Sequence, residues 1–517
     1  MTHGSTGGMI HSRFLQTCDI TDEVYRVEPF TMVIFGGAGD LSRRKLIPAL
    51  FSLFLKEELK RGFSVLAVGR TEMSDEAYRA SMEEAVRTHA EVLFDDRRWS
   101  DFSGRLFYIP ADLGQDAAYA ELLGRIREVS VSPSGPHRNV IYYMALPPHS
   151  MPVVVGGLER HGLSKGDLST RIITEKPFGT DRPSAMSLNK VLTSAFDEGQ
   201  IYRIDHYLGK EPVQNILFFR FSNTIFEEIW HAHYVENVQI TVAEEIGIEH
   251  RGEFYEQAGV VRDIVQNHML QLVGLTAMDA PVGFKADFIR DEKLKILRSI
   301  RPLEGHLIDR HTVRGQYGRG IVGGHEVESY REEEKVSPGS NTATYFAARF
   351  HIDNLRWAGV PFYVRAGKRL TKRVTEICLQ FKNLPLRLFG RTCDILEPNV
   401  LVLTIQPEEK ISLRFGVKYP FSPNQIYPVN MVFDYRETFK GTSSPAYERL
   451  ILECIRGDLT LFVRQDEVAA MWEIVDPIVK RWAEAAAADF PNYASGTWGP
   501  AEAERLLAQE GRHWITA

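Results

Sequence analysis

The sequence predicts two structural classes in one chain, an α/β half followed by an α+β half. Between about residues 30 and 205, short apolar runs alternate with segments of helical periodicity, a pattern typical of a Rossmann-like, doubly wound parallel sheet. Beyond residue 205, β-rich runs follow one another through short turns, which predicts a larger domain with a mainly antiparallel sheet and helices. The length of 517 residues also requires more than one domain, since domains span about 100–200 residues.

In the first half, the predicted strands cover residues 31–35, 63–68, 106–109, 139–145 and 171–174. Helical patterns separate them, among others at residues 42–60, 75–94 and 116–129. Parallel strands need a crossover connection, which is usually a helix. The alternation therefore favours a parallel sheet over a set of hairpins.

In the second half, the predicted strands cover residues 235–243, 345–352, 374–381, 399–406 and 412–417. A largely apolar helix is predicted over residues 256–278. The opening segment, rich in Gly, Ser, Thr and His, is typical of a flexible extension. We predict an extension over residues 1–29 and domains over residues 30–205 and 206–517.

The composition excludes several classes of protein. Apolar residues make up 44% and charged residues 25%, the balance of a folded globular protein. A net charge of −7 provides no global basic field for nucleic acid or anionic lipid. No apolar run approaches the length of a membrane-spanning helix, which is about 18–20 residues. No secretory signal is apparent. The four scattered cysteines lack metal-site spacing, so we expect reduced thiols, a cytoplasmic protein and no bound metal.

A glycine-rich turn follows the first predicted strand. Such a turn between a buried strand and a helix lets backbone amides approach a pyrophosphate. Leu41 stands where the usual G-x-G-x-x-G motif has its third glycine, so an ordinary strand-to-helix turn stays an alternative. The predicted cofactor-binding residues of this region are Gly36, Gly37, Gly39, Asp40, Leu41 and Arg43.

Arg70 follows the second predicted strand, where an NAD-specific site usually has an acidic residue for the ribose 2′-hydroxyl. A guanidinium suits a 2′-phosphate instead, and Arg43 and Arg44 add positive charge nearby. This pattern favours NADP. NAD stays open as a weaker alternative cofactor. Arg70 could also be an ordinary solvated surface residue.

Three further polar clusters carry potential chemistry. They are EKPFG at residues 175–179, RIDHYLGKE at residues 203–211, and the helical segment with Arg262, Asp263, Gln266, Asn267 and His268. An imidazole beside an ammonium suits a phosphate, and a carboxylate can orient another imidazole. A buried helical histidine is by default a hydrogen-bonded core residue. On an α-helix, Asp263 and His268 diverge by about 140°, so they could border one cleft without pairing.

These motifs, in this order, resemble the glucose-6-phosphate dehydrogenase family from about residue 30 to the end of the chain. EKPFG and RIDHYLGKE match in full, whereas the family's glycine turn G-A-S-G-D-L-A reads G-G-A-G-D-L-S at residues 36–42. The resemblance implies oxidation of glucose 6-phosphate to 6-phosphoglucono-1,5-lactone with hydride transfer to NADP. This is the first step of the oxidative pentose phosphate pathway. It also implies a homodimer or homotetramer joined through the large sheet.

The resemblance further implies a role for individual residues. His268 would be the general base, and Asp205 would orient it. The substrate-binding residues would be Lys176, His206, Tyr207, Lys210, Glu244, Asp263, Lys368 and Arg373, with the neighbouring Glu245 an alternative to Glu244. Among these, His206, Tyr207 and Lys210 would hold the phosphate, and Lys176 would also contact the nicotinamide. Residues 30–205 would then bind NADP, and residues 206–517 would bind the substrate and form the oligomer.

The chemistry fits these residue types. Oxidation of a hemiacetal removes the O1 proton while hydride leaves C1, and a neutral imidazole with a pKa near about 6.5 suits that task. Two alternatives stay open. Another NAD(P)-dependent sugar dehydrogenase would not need His206 and Lys210 as a phosphate clamp, and a non-catalytic NADP-sensing homologue would not need both Asp205 and His268.

Overall fold

The computed structural model describes residues 27–59, 62–90, 94–133, 135–386, 396–422, 425–440, 444–485 and 488–516. Residues 1–26 of the predicted extension therefore lie outside the described residues, as do Cys18 and Cys393. Cys378 and Cys454 are buried free thiols. None of the described helices has the length and apolar character needed to cross a membrane.

The first half alternates strands and helices as predicted. Its strands are β1 (Phe30–Phe35), β2 (Phe63–Gly69), β3 (Leu106–Pro110), β4 (Val131–Ser132), β5 (Gly135–Pro136), β6 (Asn139–Met144), β7 (Ser169–Thr174) and β8 (Ile201–Ile204). Its helices are α1 (Ile47–Leu55), α2 (Asp75–His89), α3 (Asp96–Ser103), α4 (Asp116–Val129), α5 (Met151–Arg160) and α6 (Arg182–Ala195). The helices predicted over 42–60 and 75–94 end early, because Lys56 and Ala90 leave helical geometry.

The second half is α+β. Its strands are β9 (Val235–Ala243), β10 (Thr312–Gly315), β11 (Tyr317–Gly318), β12 (Gly320–Val322), β13 (His325–Val327), β14 (Tyr345–His351), β15 (Pro361–Gly367), β16 (Val374–Phe381), β17 (Val400–Gln406), β18 (Lys410–Lys418), β19 (Ile426–Asp434), β20 (Phe462–Val463) and β21 (Tyr493–Ala494). Its helices are α7 (Glu211–Phe221), α8 (Thr224–Glu227), α9 (Gly252–Val260), α10 (Leu270–Ala277), α11 (Ala286–Ser299), α12 (His306–His311), α13 (Tyr435–Phe439), α14 (Ala446–Arg456), α15 (Gln465–Glu484) and α16 (Ala501–Ala508).

The first sheet has the strand order β3-β2-β1-β6-β7-β8-β20 within the described chain. From β3 through β8 in this order, all neighbouring strands pair in parallel. All residues of β1 are buried because helices cover both faces of the sheet. The order reverses between β1 and β6, and ligands bind at such a switch point beyond the carboxyl ends of the strands. The short strand β20, from the second half, closes the far edge antiparallel to β8.

The large sheet has the order β10-β14-β15-β9-β16-β17-β18-β19 among the described strands. Its pairs are antiparallel except for β15 with β9. The predicted fold class, α/β followed by α+β with a mainly antiparallel sheet, is confirmed. Among the described strands of these two sheets, β8, β10, β15, β19 and β20 were not predicted from the sequence. In the edge strand β19, Pro428 weakens the sequence signal for a strand.

The glycine turn after β1 is tightly packed. Gly36 has φ +81°, and a Cβ atom there would lie 2.3 Å from the carbonyl oxygen of Ala145. A Cβ atom on Gly37 would lie 2.4 Å from that of Ala67 in β2. The turn therefore requires glycine for both conformation and space.

We predict that Gly36→Ala lowers the free energy of unfolding by about 1–3 kcal/mol, because the new methyl group meets backbone at a left-handed φ. Urea denaturation followed by circular dichroism measures the change. Gly124→Ala is the matched control, since nothing lies within 4 Å of a Cβ atom there in α4. Equal unfolding midpoints for the two variants would contradict the argument.

Candidate active site

A cleft of about 770 Å³ lies between the parallel sheet and the large sheet. Its walls come from the ends of β7, β8, β9, β15 and β17 and from the helical segment after α9. The predicted site residues that line it are Lys176, His206, Tyr207, Lys210, Glu244, Asp263, His268, Lys368 and Arg373. The fold thus brings together residues that are far apart in sequence.

Asp205 lies behind the cleft wall and contacts His268. Its Oδ1 atom is 2.5 Å from Nδ1 of His268, and both side chains are buried. The same oxygen accepts a 2.9 Å hydrogen bond from the backbone N–H of Tyr207. The carboxylate is therefore anchored by its own loop as well as by the imidazole.

The contact with Lys176 determines which ring nitrogen of His268 carries the proton. Its Nζ atom lies 2.9 Å from Nε2 of His268. An ammonium can only donate, so Nε2 accepts this hydrogen bond. The proton is then on Nδ1, where it is donated to Asp205, and the lone pair of Nε2 is directed toward the cleft.

The surroundings keep this imidazole neutral. Burial lowers the pKa of His268 well below its ordinary value, and the nearby ammonium of Lys176 acts in the same direction, while Asp263 opposes both. Burial likewise raises the pKa of Asp205. A neutral imidazole can accept a proton at neutral pH through Nε2, the atom that Lys176 contacts in this structure.

The helix that carries Asp263 and His268 is not an α-helix at this point. Gly259, with φ +58°, interrupts the predicted helix, and Val261–Met269 forms a π-helix before α10 begins. Because a π-helix bonds residue i to i+5, two residues five apart lie one turn apart. The divergence of about 140° expected from α-helical geometry is therefore wrong, and Asp263 and His268 both contact Lys176.

Two carboxylates share the ammonium of Lys368, which is buried at 1% exposure. Lys368 bonds directly to Glu244, and its Nζ atom lies 3.6 Å from Oδ2 of Asp263. Burial alone would raise the pKa of Asp263, but Lys176 and Lys368 hold it well below its ordinary value. Glu244, rather than the neighbouring Glu245, is among the described residues of the cleft wall.

A cationic cluster lies in the same cleft, beside Tyr207. Lys210 and Arg373 both donate to Oε1 of Gln406, the latter at 3.4 Å. The amide of Gln406 donates in turn to Thr375, at 2.9 Å. The ammonium of Lys210 also lies 4.0 Å from the ring centroid of Tyr207. The amide oxygen of Gln406 thus holds two cations together, as an anionic oxygen would.

The sequence analysis missed Gln406. A glutamine at the end of a strand carries no distinctive signal, and the only hint is its place before Pro407, at the carboxyl end of the run predicted over 399–406. Gln406, at the end of β17, matters because its side chain connects Lys210, a predicted phosphate residue after β8, with Arg373, a predicted substrate-binding residue after β15.

The cationic cluster contains one group that titrates near neutral pH. Burial, reinforced by Arg373, lowers the pKa of Lys210 to about 8. His206 is in a different state. Burial and the neighbouring His268 lower the pKa of His206 well below its ordinary value, so it offers an N–H group rather than a charge.

The structure also groups three potential metal ligands that their sequence positions do not reveal. Ligand atoms of Asp205, His206 and His268 all lie within 4.8 Å of one another. Two of these residues already bond to each other, and Nε2 of His268 accepts from Lys176. The absence of a metal from the reaction stays a prediction.

The predicted cofactor residues lie around the glycine turn. The N–H groups of Gly36 and Gly37 donate to Val68, at 2.9 and 3.0 Å, and that of Gly39 donates to Gly36. These amides shape the turn, and the binding of a pyrophosphate beside it stays a prediction. The side chain of Asp40 lies 3.7 Å from Arg44, and Leu41 precedes a π-helical turn, Ser42–Leu46.

The two arginines predicted near the cofactor differ in their surroundings. Arg43 bonds to Ser81 and lies 3.4 Å from Glu84, both on α2. Arg70 is exposed just beyond the carboxyl end of β2. Arg70 is therefore the better placed of the two to meet a ligand from solvent.

Comparison with known proteins identifies the family. One family model, the NAD binding domain of glucose-6-phosphate dehydrogenase, matches residues 33–215, and another, its C-terminal domain, matches residues 217–515. The chain belongs to the glucose-6-phosphate dehydrogenase family. Glucose-6-phosphate 1-dehydrogenase of Chlamydia pneumoniae is 43% identical over 496 residues, which cover 94% of this chain and 96% of the relative.

Solved structures of glucose-6-phosphate dehydrogenases share the fold. A glucose-6-phosphate dehydrogenase in complex with its substrate glucose 6-phosphate gives a TM-score of 0.85 at 34% identity, covering 95% of this chain and 99% of that chain. Glucose-6-phosphate 1-dehydrogenase from Mycobacterium avium gives 0.81 at the same identity, with the same coverage of 95% and 99%. The N-terminal half of the chain is thus a nicotinamide-cofactor domain of this family.

We predict that His268 remains neutral, with its proton on Nδ1, at pH 6.5 and above. Nitrogen NMR of histidine-labelled protein distinguishes the two tautomers and the charged form, and His268→Asn assigns the signal. Asp205→Ala should shift the proton toward Nε2, since the acceptor on the Nδ1 side is lost. A charged imidazole at pH 6.5 would contradict the proposed electrostatics.

Proposed function

We propose that this protein oxidises glucose 6-phosphate at C1, transfers hydride to NADP and releases 6-phosphoglucono-1,5-lactone, the first step of the oxidative pentose phosphate pathway. The observation that carries the proposal is the Asp205–His268 pair, whose neutral imidazole directs its Nε2 lone pair toward a cleft that the cations Lys210 and Arg373 also line. The related structure with glucose 6-phosphate supports the choice of substrate.

In the proposed reaction, Nε2 of His268 takes the proton from O1 as the C1–H bond breaks. Lys176 must first leave Nε2, and its ammonium can then donate to the substrate. The carboxylate of Asp205 stabilises the imidazolium that forms. When bound, the nicotinamide supplies the hydride acceptor.

The remaining cleft residues divide between the sugar and the phosphate. Ionised Glu244 and Asp263 accept hydrogen bonds from sugar hydroxyls, while Lys368 compensates their charge. Lys210 and Arg373 bind the phosphate. In the absence of substrate, Oε1 of Gln406 accepts the hydrogen bonds that a phosphate oxygen would accept.

His206 and Tyr207 add neutral donors to this phosphate site, as the sequence analysis proposed. A net acidic protein has to recognise a dianion through such local contacts, since no global positive field attracts it.

The preference for NADP over NAD rests on charge around the glycine turn. Arg70 is exposed at the end of β2, and Arg44 lies on the adjacent π-helical turn beside the cleft. A guanidinium recognises a 2′-phosphate and has no such partner on NAD. NAD remains the weaker alternative cofactor.

We also propose a homodimer, or a homotetramer built from it, joined through the large sheet. The edge strand β19 exposes large apolar side chains, including Tyr427, Met431 and Val432. A long apolar edge strand is an aggregation hazard unless a partner covers it.

The free thiols Cys378 and Cys454 favour a cytoplasmic location. The division into domains 30–205 and 206–517 remains our proposal.

Steady-state kinetics with NADP and NAD against several sugar phosphates and free glucose tests the proposed function most directly. We expect efficient turnover only with glucose 6-phosphate. Absence of NADP reduction with every sugar phosphate would instead favour a non-catalytic homologue, and equal rates with free glucose would favour another sugar dehydrogenase.

We predict that His268→Asn lowers kcat by about 10²–10⁴-fold, because the proton acceptor for O1 is lost. Binding of glucose 6-phosphate, measured by calorimetry, should change little. The control is His306→Asn, on the exposed start of α12, which should leave kcat unchanged. A near-normal kcat for His268→Asn would contradict the assignment of His268 as the general base.

We predict that kcat/KM for glucose 6-phosphate falls as pH rises through about 8. Lys210, whose pKa is lowered to about 8, is charged below that pH and neutral above it, so phosphate binding weakens on the alkaline side. Lys210→Arg should move this decline to higher pH, because an arginine stays charged. An unchanged alkaline limb in Lys210→Arg would assign it to another group.

We predict that Arg70→Ala raises the KM for NADP far more than the KM for NAD, since only NADP carries the 2′-phosphate. Initial rates with each cofactor at saturating sugar phosphate measure the two constants. Arg310→Ala, an exposed arginine on α12, serves as the control. Equal increases for both cofactors would place Arg70 outside the cofactor site.

A further inference from the structure

The π-helix Val261–Met269, which carries Asp263 and His268, is long for a helix of its kind. Most π-helical segments are single turns inside α-helices. A run of 9 residues is therefore expected to need support from groups outside its own backbone ladder.

The side chain of Asn267 provides support of this kind. Its Oδ1 atom accepts a 2.6 Å hydrogen bond from the backbone N–H of His268, and its Nδ2 atom donates at 3.3 Å to the carbonyl oxygen of Arg262. The side chain is buried, with 4% exposure. One amide thus binds two backbone groups of the helix that bears the proposed base.

The same two backbone groups would have other partners in an α-helix, which bonds residue i to residue i+4. The N–H of His268 would then donate to the carbonyl of Ile264. The carbonyl of Arg262 would accept from the N–H of Gln266. Because Asn267 competes for both groups, its side chain disfavours the α-helical alternative.

The loop before α6 supports the helix in the same way. The Nζ atom of Lys176 donates at 3.1 Å to the carbonyl oxygen of Asp263, which an α-helix would bond to the N–H of Asn267 instead. The Nε atom of Arg262 donates at 2.7 Å to the carbonyl oxygen of Thr180, in the same loop. The carbonyl that Asn267 binds thus belongs to a residue that is itself tied to the Lys176 loop.

The contacts of the imidazole depend on π-helical geometry. In the π-helix, Asp263 and His268 lie one turn apart, and both contact Lys176. In an α-helix the two side chains would diverge by about 140°. The 2.5 Å contact of His268 with Asp205 requires the same placement of the ring. Loss of the π-helix would therefore move the imidazole away from at least one of its partners.

We propose that Asn267 is a positioning residue, which holds the segment 261–269 in π-helical geometry and so keeps His268 in contact with Asp205 and Lys176. Asn267 is not among the described residues that line the cleft, so it acts on the reaction through the helix. The kinetic consequence rests on the proposed function, whereas the effect on the imidazole does not.

Asn267→Ala and Asn267→Leu remove both hydrogen bonds with side chains of different volume, so either variant tests the role if the other does not fold. In a variant that urea denaturation shows to be folded, kcat for glucose 6-phosphate should fall about 10–100-fold, as a displacement of about 1 Å can cause. The KM should change at most about threefold, because Lys210 and Arg373 lie on other elements. A parental kcat in a folded variant would overturn the proposal.

Gln266→Leu is the matched control. Gln266 precedes Asn267 in the same helix and is also buried, and its Nε2 atom has no hydrogen-bond partner among the described residues. Removal of a buried amide without a partner should leave kcat within about twofold of the parent value. A loss of kcat as large as in the Asn267 variants would overturn the proposal, because any buried amide of the helix would then have the same effect.

Nitrogen NMR of histidine-labelled, substrate-free protein tests the placement of the ring directly. The ring-nitrogen signals of His268 should shift in the Asn267 variants and keep their parental positions in Gln266→Leu. Lower stability alone would not move the signals of the folded molecules, so unshifted signals in a folded Asn267 variant would overturn the proposal. Absence of NADP reduction by the parent protein would instead overturn the proposed function, and the NMR comparison would still test Asn267.

Discussion

The hydrogen bond between Asp205 and His268 joins the two halves of the chain, and the rest of the active site is arranged around it. Asp205 directly follows β8 of the parallel sheet, while His268 lies on the π-helix of the second half. Burial would make either group costly alone, since an unpaired carboxylate in the interior loses its solvation. Their contact satisfies the imidazole N–H and one carboxylate oxygen, and it directs Nε2 into the space between the sheets.

From that bond, charges of alternating sign continue along the cleft wall. Nε2 of His268 accepts from Lys176, Lys176 contacts Asp263, and Asp263 and Glu244 share Lys368. Each buried charge has an opposite neighbour, which is the condition for keeping ions in a low-dielectric interior. Under the proposed function, this arrangement has acceptors for sugar hydroxyls and for the O1 proton in place before substrate arrives.

The sequence predicted the parallel sheet well, because buried strands such as β1 read as continuous apolar runs. The edge strand β19 was missed, since Pro428 and exposed positions obscure its pattern. The candidate residues of the cleft followed from dense motifs and the family resemblance. What pattern cannot show is geometry set by tertiary packing: the π-helix that places Asp263 beside His268, the bridging role of Gln406, and the burial that keeps His206 uncharged.

The short strand β20 has a consequence for the order in which the protein can assemble. It pairs with β8 and completes the first sheet, yet it lies at Phe462–Val463, beyond the whole of the large sheet in the chain. On the ribosome, the nucleotide-binding sheet must therefore wait with an open edge at β8 while the second half is synthesised. Since Asp205 follows directly on β8, the strand that precedes this carboxylate gains its second neighbour only after residues 462–463 have emerged.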